Sequence, residues 1–348
     1  MAIVRKAAAV LFYCWLVLLL PGLSSAAQRV YIVYSYHPDY FWQQGEEQGI
    51  AEALAGMDII YGSFCLDTKR HQSEAWLDRK VAECLADIAS FRPDIIVTCD
   101  DNAIKTIAAH FHHQDIPVVF LGINTEPEEY GLVASGNRQA PGGNVTGVLE
   151  RHYYEHTTAL LQTILLANDF KTTTLNIITD DSYTSTKLID FLKKAPWETP
   201  WEKVFHPQIG TFSGYRELID EINHPDQVVF IYNLESIKAK GHHVSNHKLL
   251  SWTRDHLQIP AVAFHPPYLE MGAALCGVVV TGRTQGYYAG LKAQQILQGT
   301  PAGRIPIDRP PKGTVVLNIS TAKRLGIKIP LTVLLGADIV YDRQLGKD

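Results

Sequence analysis

Short apolar segments that each end in a polar tip recur along this chain and constrain its fold more than any other feature. Three of them are Val30–Tyr34 before Ser35 and Tyr36, Asp94–Cys99 before Asp100-Asp101-Asn102, and Val118–Leu121 before Gly122-Ile123-Asn124. Segments with a helical spacing of apolar residues lie between them, at 43–55, 73–91 and 102–111. This alternation predicts a doubly wound parallel α/β sheet, in which the carboxyl ends of the strands border a binding crevice.

The same alternation restarts after a stretch rich in glycine and polar residues at 135–144. Strands are expected at 174–179, 227–232, 260–264 and 277–281, and helices at 153–167, 184–194, 245–256 and 285–298. Polar residues again follow the strands, namely Asp181, Ser182, Asn233 and His265. We therefore predict two α/β lobes joined by a hinge, with a ligand-binding cleft between them.

The first 27 residues have the composition of a secretory signal peptide. Arg5 and Lys6 precede the apolar stretch Ala7–Leu20, and Ser25-Ala26-Ala27 offers small residues for cleavage before Gln28. The apolar stretch is shorter than the ~20 residues that a spanning helix needs, which favours cleavage over a membrane anchor. We therefore predict a periplasmic protein that does not span the membrane after cleavage.

The net charge and the cysteines indicate which partners and which cysteine chemistry to expect. The net charge of −5 gives no reason to expect nucleic acid or an anionic membrane surface as a partner. The cysteines beyond the signal peptide are Cys65, Cys84, Cys99 and Cys276. Their apolar surroundings favour buried free thiols, although an exported protein could form a disulfide. The absence of a C-x-x-C pair argues against a redox motif or a thiolate metal site.

Asp100, Asp101 and Asn102 lie where a predicted strand meets a predicted helix. The backbone N–H groups of a helix start suit a carboxylate, and the side chains suit an ammonium group. An α-amino acid carries both groups. The alternative is that one of these side chains only caps the helix.

An aromatic cluster, Tyr36, Tyr40, Phe41 and Trp42, follows the first strand. Such rings stack on a ligand ring or contact a cation, and the alternative for two of the four is packing within the protein. We therefore expect Tyr36 and Trp42 to contact an apolar or aromatic part of the ligand. The candidate ligand-binding residues are Ser35, Tyr36, Trp42, Asp100, Asp101, Asn102, Asn124, Asp181, Ser182, Asn233 and His265.

One short motif points to a different function. His152-Tyr153-Tyr154-Glu155-His156 matches H-x-x-E-H, which one class of zinc peptidases uses. It falls at the start of a predicted helix and has no assignable third ligand, so an exported metal-dependent hydrolase is the least favoured alternative. The chain has no phosphate-binding loop, no G-x-G-x-x-G after a strand and no G-x-S-x-G elbow. We therefore expect no catalytic residues, no metal and no cofactor.

The order of several motifs is similar to that of a known family. The matching stretches are Ser35-Tyr36-His37-Pro38 with Trp42, Asp67-Thr68-Lys69-Arg70, Asp100-Asp101-Asn102-Ala103, Val145-Thr146-Gly147-Val148 and Ala322–Pro330. The chain resembles ABC transporter substrate-binding proteins with the type I periplasmic-binding fold, including the branch that binds tryptophan and related aromatic amino acids.

This resemblance implies a division into lobes and a function. The first lobe is expected to comprise 28–145 and about 284–325, and the second 146–283 and about 326–348. The implied function is capture of a small molecule, with Asp101 and Asn102 holding its ammonium or carboxylate end, followed by delivery to an ABC permease. Some related domains serve membrane sensor kinases instead, so a sensory module is the second hypothesis.

Overall fold

The computed structural model describes residues 27–71, 73–195 and 197–342. The predicted signal peptide lies, apart from Ala27, outside the described residues. The chain forms two compact units: the first ends at Val148 and also includes Tyr287–Asp308, and the second comprises Leu149–Gly286 and the chain from Arg309 onward.

The first unit is built around a sheet with the strand order β2-β1-β3-β4-β5. Its strands are β1 (Gln28–Tyr34), β2 (Ile59–Cys65), β3 (Ile95–Cys99), β4 (Val118–Ile123) and β5 (Val145–Leu149). β1 pairs in parallel with β2 and β3, and β3 pairs in parallel with β4. In this order the chain proceeds from β1 to β2 on one side and from β3 to β4 on the other. Ligands of such folds bind at this switch point between β1 and β3.

The helices of the first unit connect these strands. They are α1 (Phe41–Ala53), α2 (Glu74–Phe91) and α3, which joins α-helical Asp100–Ala103 and Ala109–Phe111 through π-helical Ile104–Ala108. A 3₁₀ turn, Pro127–Tyr130, follows β4. β3 and β4 are buried along their whole length, as expected for parallel strands covered on both faces.

The second unit contains a sheet with the strand order β14-β13-β12-β11-β8-β6-β7. Its strands are β6 (Thr174–Ile178), β7 (Glu202–Phe205), β8 (Gln227–Ile231), β11 (Ala261–Ala263), β12 (Cys276–Val279), β13 (Thr314–Asn318) and β14 (Ile339–Tyr341). Two short strands, β9 (Lys238–Ala239) and β10 (His242–His243), form a separate antiparallel pair. Neighbouring strands of the large sheet run parallel, except that β12 and β13 run antiparallel.

The helices of the second unit begin with α4 (Tyr154–Leu166), α5 (Tyr183–Leu192), α6 (Phe212–Ile222), α7 (Asn246–His256) and α8 (Pro266–Glu270). Helix α9 (Gly282–Leu297) begins in the second unit and ends in the first, followed by the 3₁₀ turn Ala302–Arg304. The last helices are α10 (Ile319–Arg324) and α11 (Leu331–Leu335). Val228 and Phe230 of β8 pack in one core cluster and Val229 and Ile231 in another, because successive strand residues point to opposite faces.

The tail of the chain differs from the predicted lobe boundaries. The first lobe was expected to extend to about residue 325, whereas the chain from Arg309 onward belongs to the second unit. The reason is strand pairing, because β13 pairs with both β12 and β14 in the second sheet. The sequence pattern did not reveal β13 as a strand.

The chain passes from the first unit to the second after Asp308, and side-chain ion pairs fix the residues on either side of this point. Before it, the Lys292 ammonium donates to the Asp308 carboxylate at 2.8 Å and to the carbonyl oxygen of Pro306 at 2.6 Å. Directly after it, the Arg309 guanidinium donates to the Glu155 carboxylate at 2.6 Å. Two adjacent residues are therefore bound to different units.

The four cysteines of the described chain are free thiols, and Cys84, Cys99 and Cys276 are buried. Burial raises the pKa of the Cys84 thiol to about 12, so this group stays protonated at neutral pH. None of the helices in the described part of the chain combines the length and apolar character that a membrane span requires.

Candidate functional site

Ser35 connects the ends of β1 and β3 in the first unit. Its hydroxyl donates to the carbonyl oxygen of Cys99 at 2.7 Å and accepts the N–H of Ala103 at 2.8 Å. The side chain is fully buried. Ser35 therefore lies at the predicted edge, but its hydroxyl is engaged in fixing the start of α3.

Asp100 is held in a conformation that few residues other than glycine adopt. Its φ is +65°, and its side chain is 3% exposed. The indole N–H of Trp42 donates to Asp100 Oδ1 at 3.1 Å and to Glu46 Oε1 at 2.9 Å. Trp42 thus supplies one donor to two buried carboxylates, whereas the sequence suggested a ring that stacks on a ligand. Glu46 was not predicted from the sequence, although it lies four residues after Trp42 on α1 and hence on the same helix face.

Asp101 and Asn102 connect α3 to two neighbouring loops. Asp101 accepts the backbone N–H groups of Asn124 at 3.1 Å and Thr125 at 3.2 Å, just after β4. The Asn102 amide donates to the Thr68 hydroxyl at 3.0 Å, just after β2. Asp101 and Asn102 remain partly exposed and Asn124 is exposed, so these three side chains are accessible. With Ser35 and Asp100 they form what we call the first strand-end edge.

The helix that follows these residues has an unusual turn. Ile104–Ala108 is π-helical, and π-helical turns occur frequently at functional sites. The segment Asp100-Asp101-Asn102 therefore begins with a left-handed residue and leads into a π-helical turn, so it differs from the capped start of a regular α-helix.

Tyr36 belongs to a cation–π cluster beside this edge. Its ring lies 5.0 Å from that of Tyr40, and the Lys69 ammonium lies 4.6 Å from the Tyr36 ring centre and 5.0 Å from that of Tyr40. The face of this aromatic pair therefore already accommodates a cation, as ring quadrupoles favour.

Replacement of Trp42 by phenylalanine is expected to lower the free energy of unfolding by about 2 kcal/mol, because Glu46 and Asp100 lose their shared donor while buried. Urea denaturation measures this change. The control is Trp252→Phe, because Trp252 contacts the rings of Phe212, Tyr215 and His256, and these ring contacts do not involve a donor shared between two carboxylates. Equal losses in both variants would contradict the assigned role of the Trp42 N–H.

In the second unit, Asp180 organises the end of β6. It is fully buried and accepts hydrogen bonds from the Ser182 and Ser185 hydroxyls, each at 2.6 Å, and from the N–H of Ser236 at 2.8 Å. Burial opposes ionisation of Asp180, but the hydrogen bonds from Ser182, Ser185 and Ser236 outweigh it and lower the pKa of this carboxyl. Asp181 and Ser182 are among the candidates predicted from the sequence, whereas Asp180 is not.

The predicted residues around Asp180 have different environments. Asp181 is exposed, and its carboxylate accepts the Ser236 hydroxyl at 2.8 Å. The Asn233 amide donates to the Ser182 hydroxyl at 3.4 Å. The ends of β6 and β8 are therefore joined through Ser182, and Asp181 presents its carboxylate at the surface.

A cluster of four rings lies at the ends of β8 and β11. His152 stacks on Phe264 with 4.9 Å between ring centres and meets the edge of Tyr232 at 5.4 Å. His265 lies 5.8 Å from His152 and 5.5 Å from Tyr232. We call His152, Tyr232, Phe264 and His265 the ring cluster, and together with Asp181, Ser182 and Asn233 it forms the second strand-end edge.

Both histidines of the ring cluster are neutral near pH 7. Burial lowers the pKa of His152 to about 3; repulsion from His265, when that ring is itself protonated, and from the Arg151 guanidinium acts in the same direction. Burial also lowers the pKa of His265, against the opposing effect of Glu235. His265 was predicted at this edge, whereas His152 and Tyr232 were not. The H-x-x-E-H motif contains His152, but from the sequence it was weighed only as a metal motif, the least favoured alternative, and not as a ligand contact.

The H-x-x-E-H residues are engaged in different ways. The Glu155 carboxylate accepts the Arg309 guanidinium, His152 packs in the ring cluster, and His156 has a side chain that is 54% exposed. Among the described residues no group of three or more His, Cys, Asp or Glu side chains is arranged to hold a metal.

The sequence of this chain is similar to those of known proteins. A sequence model of the family described as ABC transporter substrate binding protein matches residues 43–195 and 233–341. A protein named tyrosine-binding protein, from Clostridioides difficile (strain R20291), is 27% identical over 227 residues, which make up 64% of this chain and 60% of that relative. The aligned region thus spans about three fifths of the relative's length.

Solved structures show the same fold. A ligand-free, open substrate binding protein with adhesive properties from Clostridium difficile matches with a TM-score of 0.68 and 17% identity, covering 91% of this chain and 100% of that one. An ABC domain from Streptococcus pneumonia in complex with L-Trp matches with a TM-score of 0.56 and 20% identity, covering 90% and 100%. The predicted α/β fold class is confirmed. The chain belongs to the ABC transporter substrate-binding protein family and has its type I periplasmic-binding fold.

Proposed function

We propose that this protein is an exported substrate-binding protein that captures an amino acid and delivers it to an ABC permease. The observation that carries the proposal is that, in a chain of this family, the carboxyl-end edge of each sheet presents accessible polar side chains. Those side chains include Asp101, Asn102 and Asn124 in the first unit and Asp181 and Asn233 in the second. Ligands of open α/β sheets bind at such edges.

The chemistry of the first strand-end edge favours an amino acid. Asp101 offers a carboxylate to an ammonium group, while the Asn102 amide can donate to a carboxylate. The Tyr36 ring lies in a cluster that already holds a cation. The C. difficile relative is named for tyrosine, and the S. pneumonia domain was crystallised with L-Trp. An amino acid with an aromatic side chain is therefore our proposed ligand class.

In the proposed mechanism, one ligand contacts strand-end residues of both units, and its binding shifts a hinge equilibrium toward the closed state. The closed protein then presents its ligand to the permease. The predicted signal peptide, residues 1–27, would direct the chain to the periplasm. A membrane sensor that recognises the same closed state is the alternative partner.

Thermal unfolding with each of the twenty amino acids tests this proposal. An amino acid present at 100 times its Kd adds about 2.7 kcal/mol of stability, which is expected to raise Tm by ~5 °C. Isothermal titration calorimetry then gives the affinity of each hit. If no amino acid raised Tm or produced binding heat, the proposed function would be wrong.

Replacement of Asp101 by alanine tests whether the ligand binds at the first strand-end edge. Asp101→Ala is expected to weaken amino-acid binding at least tenfold, because it removes the charge and releases the loop held through Asn124 and Thr125. The control is Asp115→Ala, which removes the same charge from an exposed position. Unchanged affinity in Asp101→Ala would show that the ligand binds elsewhere.

A further inference from the structure

We propose that His152 is a specificity-determining residue that hydrogen-bonds a hydroxyl on the ring of an aromatic amino acid. This inference rests on the proposed function and assigns to the ring cluster the role of binding the ligand's side chain. The geometry of His152 within that cluster carries it.

The position of the His152 imidazole is fixed by its neighbours. One face stacks on Phe264, with an interplanar angle of 15°, and Nε2 lies 3.3 Å from the Tyr232 hydroxyl. The backbone carbonyl of His152 lies 3.5 Å from the Arg309 guanidinium, which anchors the start of α4 through Glu155. A ring held in this way presents its other nitrogen in a defined direction.

That other nitrogen lacks a partner. His152 Nδ1 is shielded from solvent and has no hydrogen-bond partner within the described residues. Buried polar atoms are satisfied in the great majority of cases, so this atom requires an explanation. A ligand group that completes the hydrogen bond supplies one.

The properties of the site select a hydroxyl. Because His152 is neutral, one ring nitrogen carries a hydrogen and the other accepts, and the Tyr232 hydroxyl fits either tautomer at Nε2. A ligand hydroxyl both donates and accepts, so it pairs with Nδ1 in both tautomers. An ammonium group only donates and a carboxylate only accepts, so each pairs with a single tautomer, and each brings a charge that the surrounding rings do not solvate. The surrounding rings of Tyr232 and Phe264 favour an aromatic ring as the carrier of that hydroxyl.

The test compares L-tyrosine with L-phenylalanine, which differ only by the ring hydroxyl. Titration calorimetry of the wild type is expected to show a preference for L-tyrosine of at least about tenfold. His152→Phe keeps a flat ring against Phe264 but removes both nitrogens, and the preference is expected to fall to within about threefold. His152→Asn retains a donor and an acceptor near the position of Nδ1 and is expected to keep part of the preference.

The control is His156→Phe, which changes the exposed histidine of the same motif and should leave the preference at the wild-type value. If His152→Phe does not fold, His152→Leu removes the same polar atoms with a smaller side chain. Equal affinity of the wild type for the two amino acids, or an unchanged preference in His152→Phe or His152→Leu, would overturn the inference. Wild-type binding of other amino acids but neither of these two would also overturn it, while leaving the proposed function intact.

Discussion

Replacement of Asp180 by alanine is expected to lower the free energy of unfolding by about 3–5 kcal/mol, the largest effect of any substitution considered. Asp180 is fully buried and accepts the hydroxyls of Ser182 and Ser185 and the backbone N–H of Ser236. Alanine removes the carboxylate that accepts from all three donors. The loop after β8 would also lose its connection to the end of β6.

Urea denaturation at pH 7 measures the loss, with Asp181→Ala as the control. Asp181 is exposed and accepts the Ser236 hydroxyl, so its removal should cost less than about 1 kcal/mol. A similar cost in both variants would show that the Asp180 hydrogen bonds do not stabilise the fold.

The same carboxylate gives a pH dependence. Its pKa is lower in the folded chain than the ordinary value of 3.8, so its stabilisation is fully present above that value. As the pH falls through the folded-state pKa, the contribution is lost. The stability difference between wild type and Asp180→Ala should therefore be constant between pH 7 and pH 5 and shrink below pH 3.8. A constant difference down to pH 3 would contradict the lowered pKa.

Gly122→Ala is expected to destabilise the protein by about 3 kcal/mol and to weaken amino-acid binding. Gly122 has a φ of +71°, and an added Cβ would lie 2.7 Å from Asp100 Oδ1. The left-handed backbone accounts for about 1 kcal/mol of the expected loss. The remainder comes from displacing Asp100 from the Trp42 N–H at the first strand-end edge.

Gly131→Ala separates these two contributions. Gly131 has a φ of +70°, and an added Cβ there meets nothing within 4 Å. It should therefore show the backbone cost alone, about 1 kcal/mol, and leave ligand affinity unchanged. Equal destabilisation in the two variants by urea unfolding would mean that the contact with Asp100 is tolerated.

The sequence was most informative about strands that are buried on both faces. Ile95–Cys99 and Val118–Ile123 are continuous apolar runs, and their observed bounds lie within two residues of the predicted ones. β7 and β14 were not predicted, because they are short and only partly buried, so their composition does not separate them from loops. β13 was also not predicted, although it contains the apolar run Val315-Val316-Leu317; it pairs antiparallel with β12.

Sequence placed the candidate residues at strand ends but could not say which side chains the protein itself uses. Ser35 and Asp180 lie at these edges with their polar atoms engaged internally, which depends on partners far along the chain such as Cys99 and Ser236. The left-handed backbone of Asp100 is likewise set by its three-dimensional surroundings. The ligand roles of the accessible residues therefore stay predictions.

A crystal structure of residues 28–348 with the tightest-binding amino acid tests most directly our central proposal, that an amino acid binds at the strand-end edges. We predict that the ligand contacts Asp101 or Asn102 with its α-amino or carboxylate end and contacts the ring cluster with its side chain. An amino acid bound away from both edges would contradict the account.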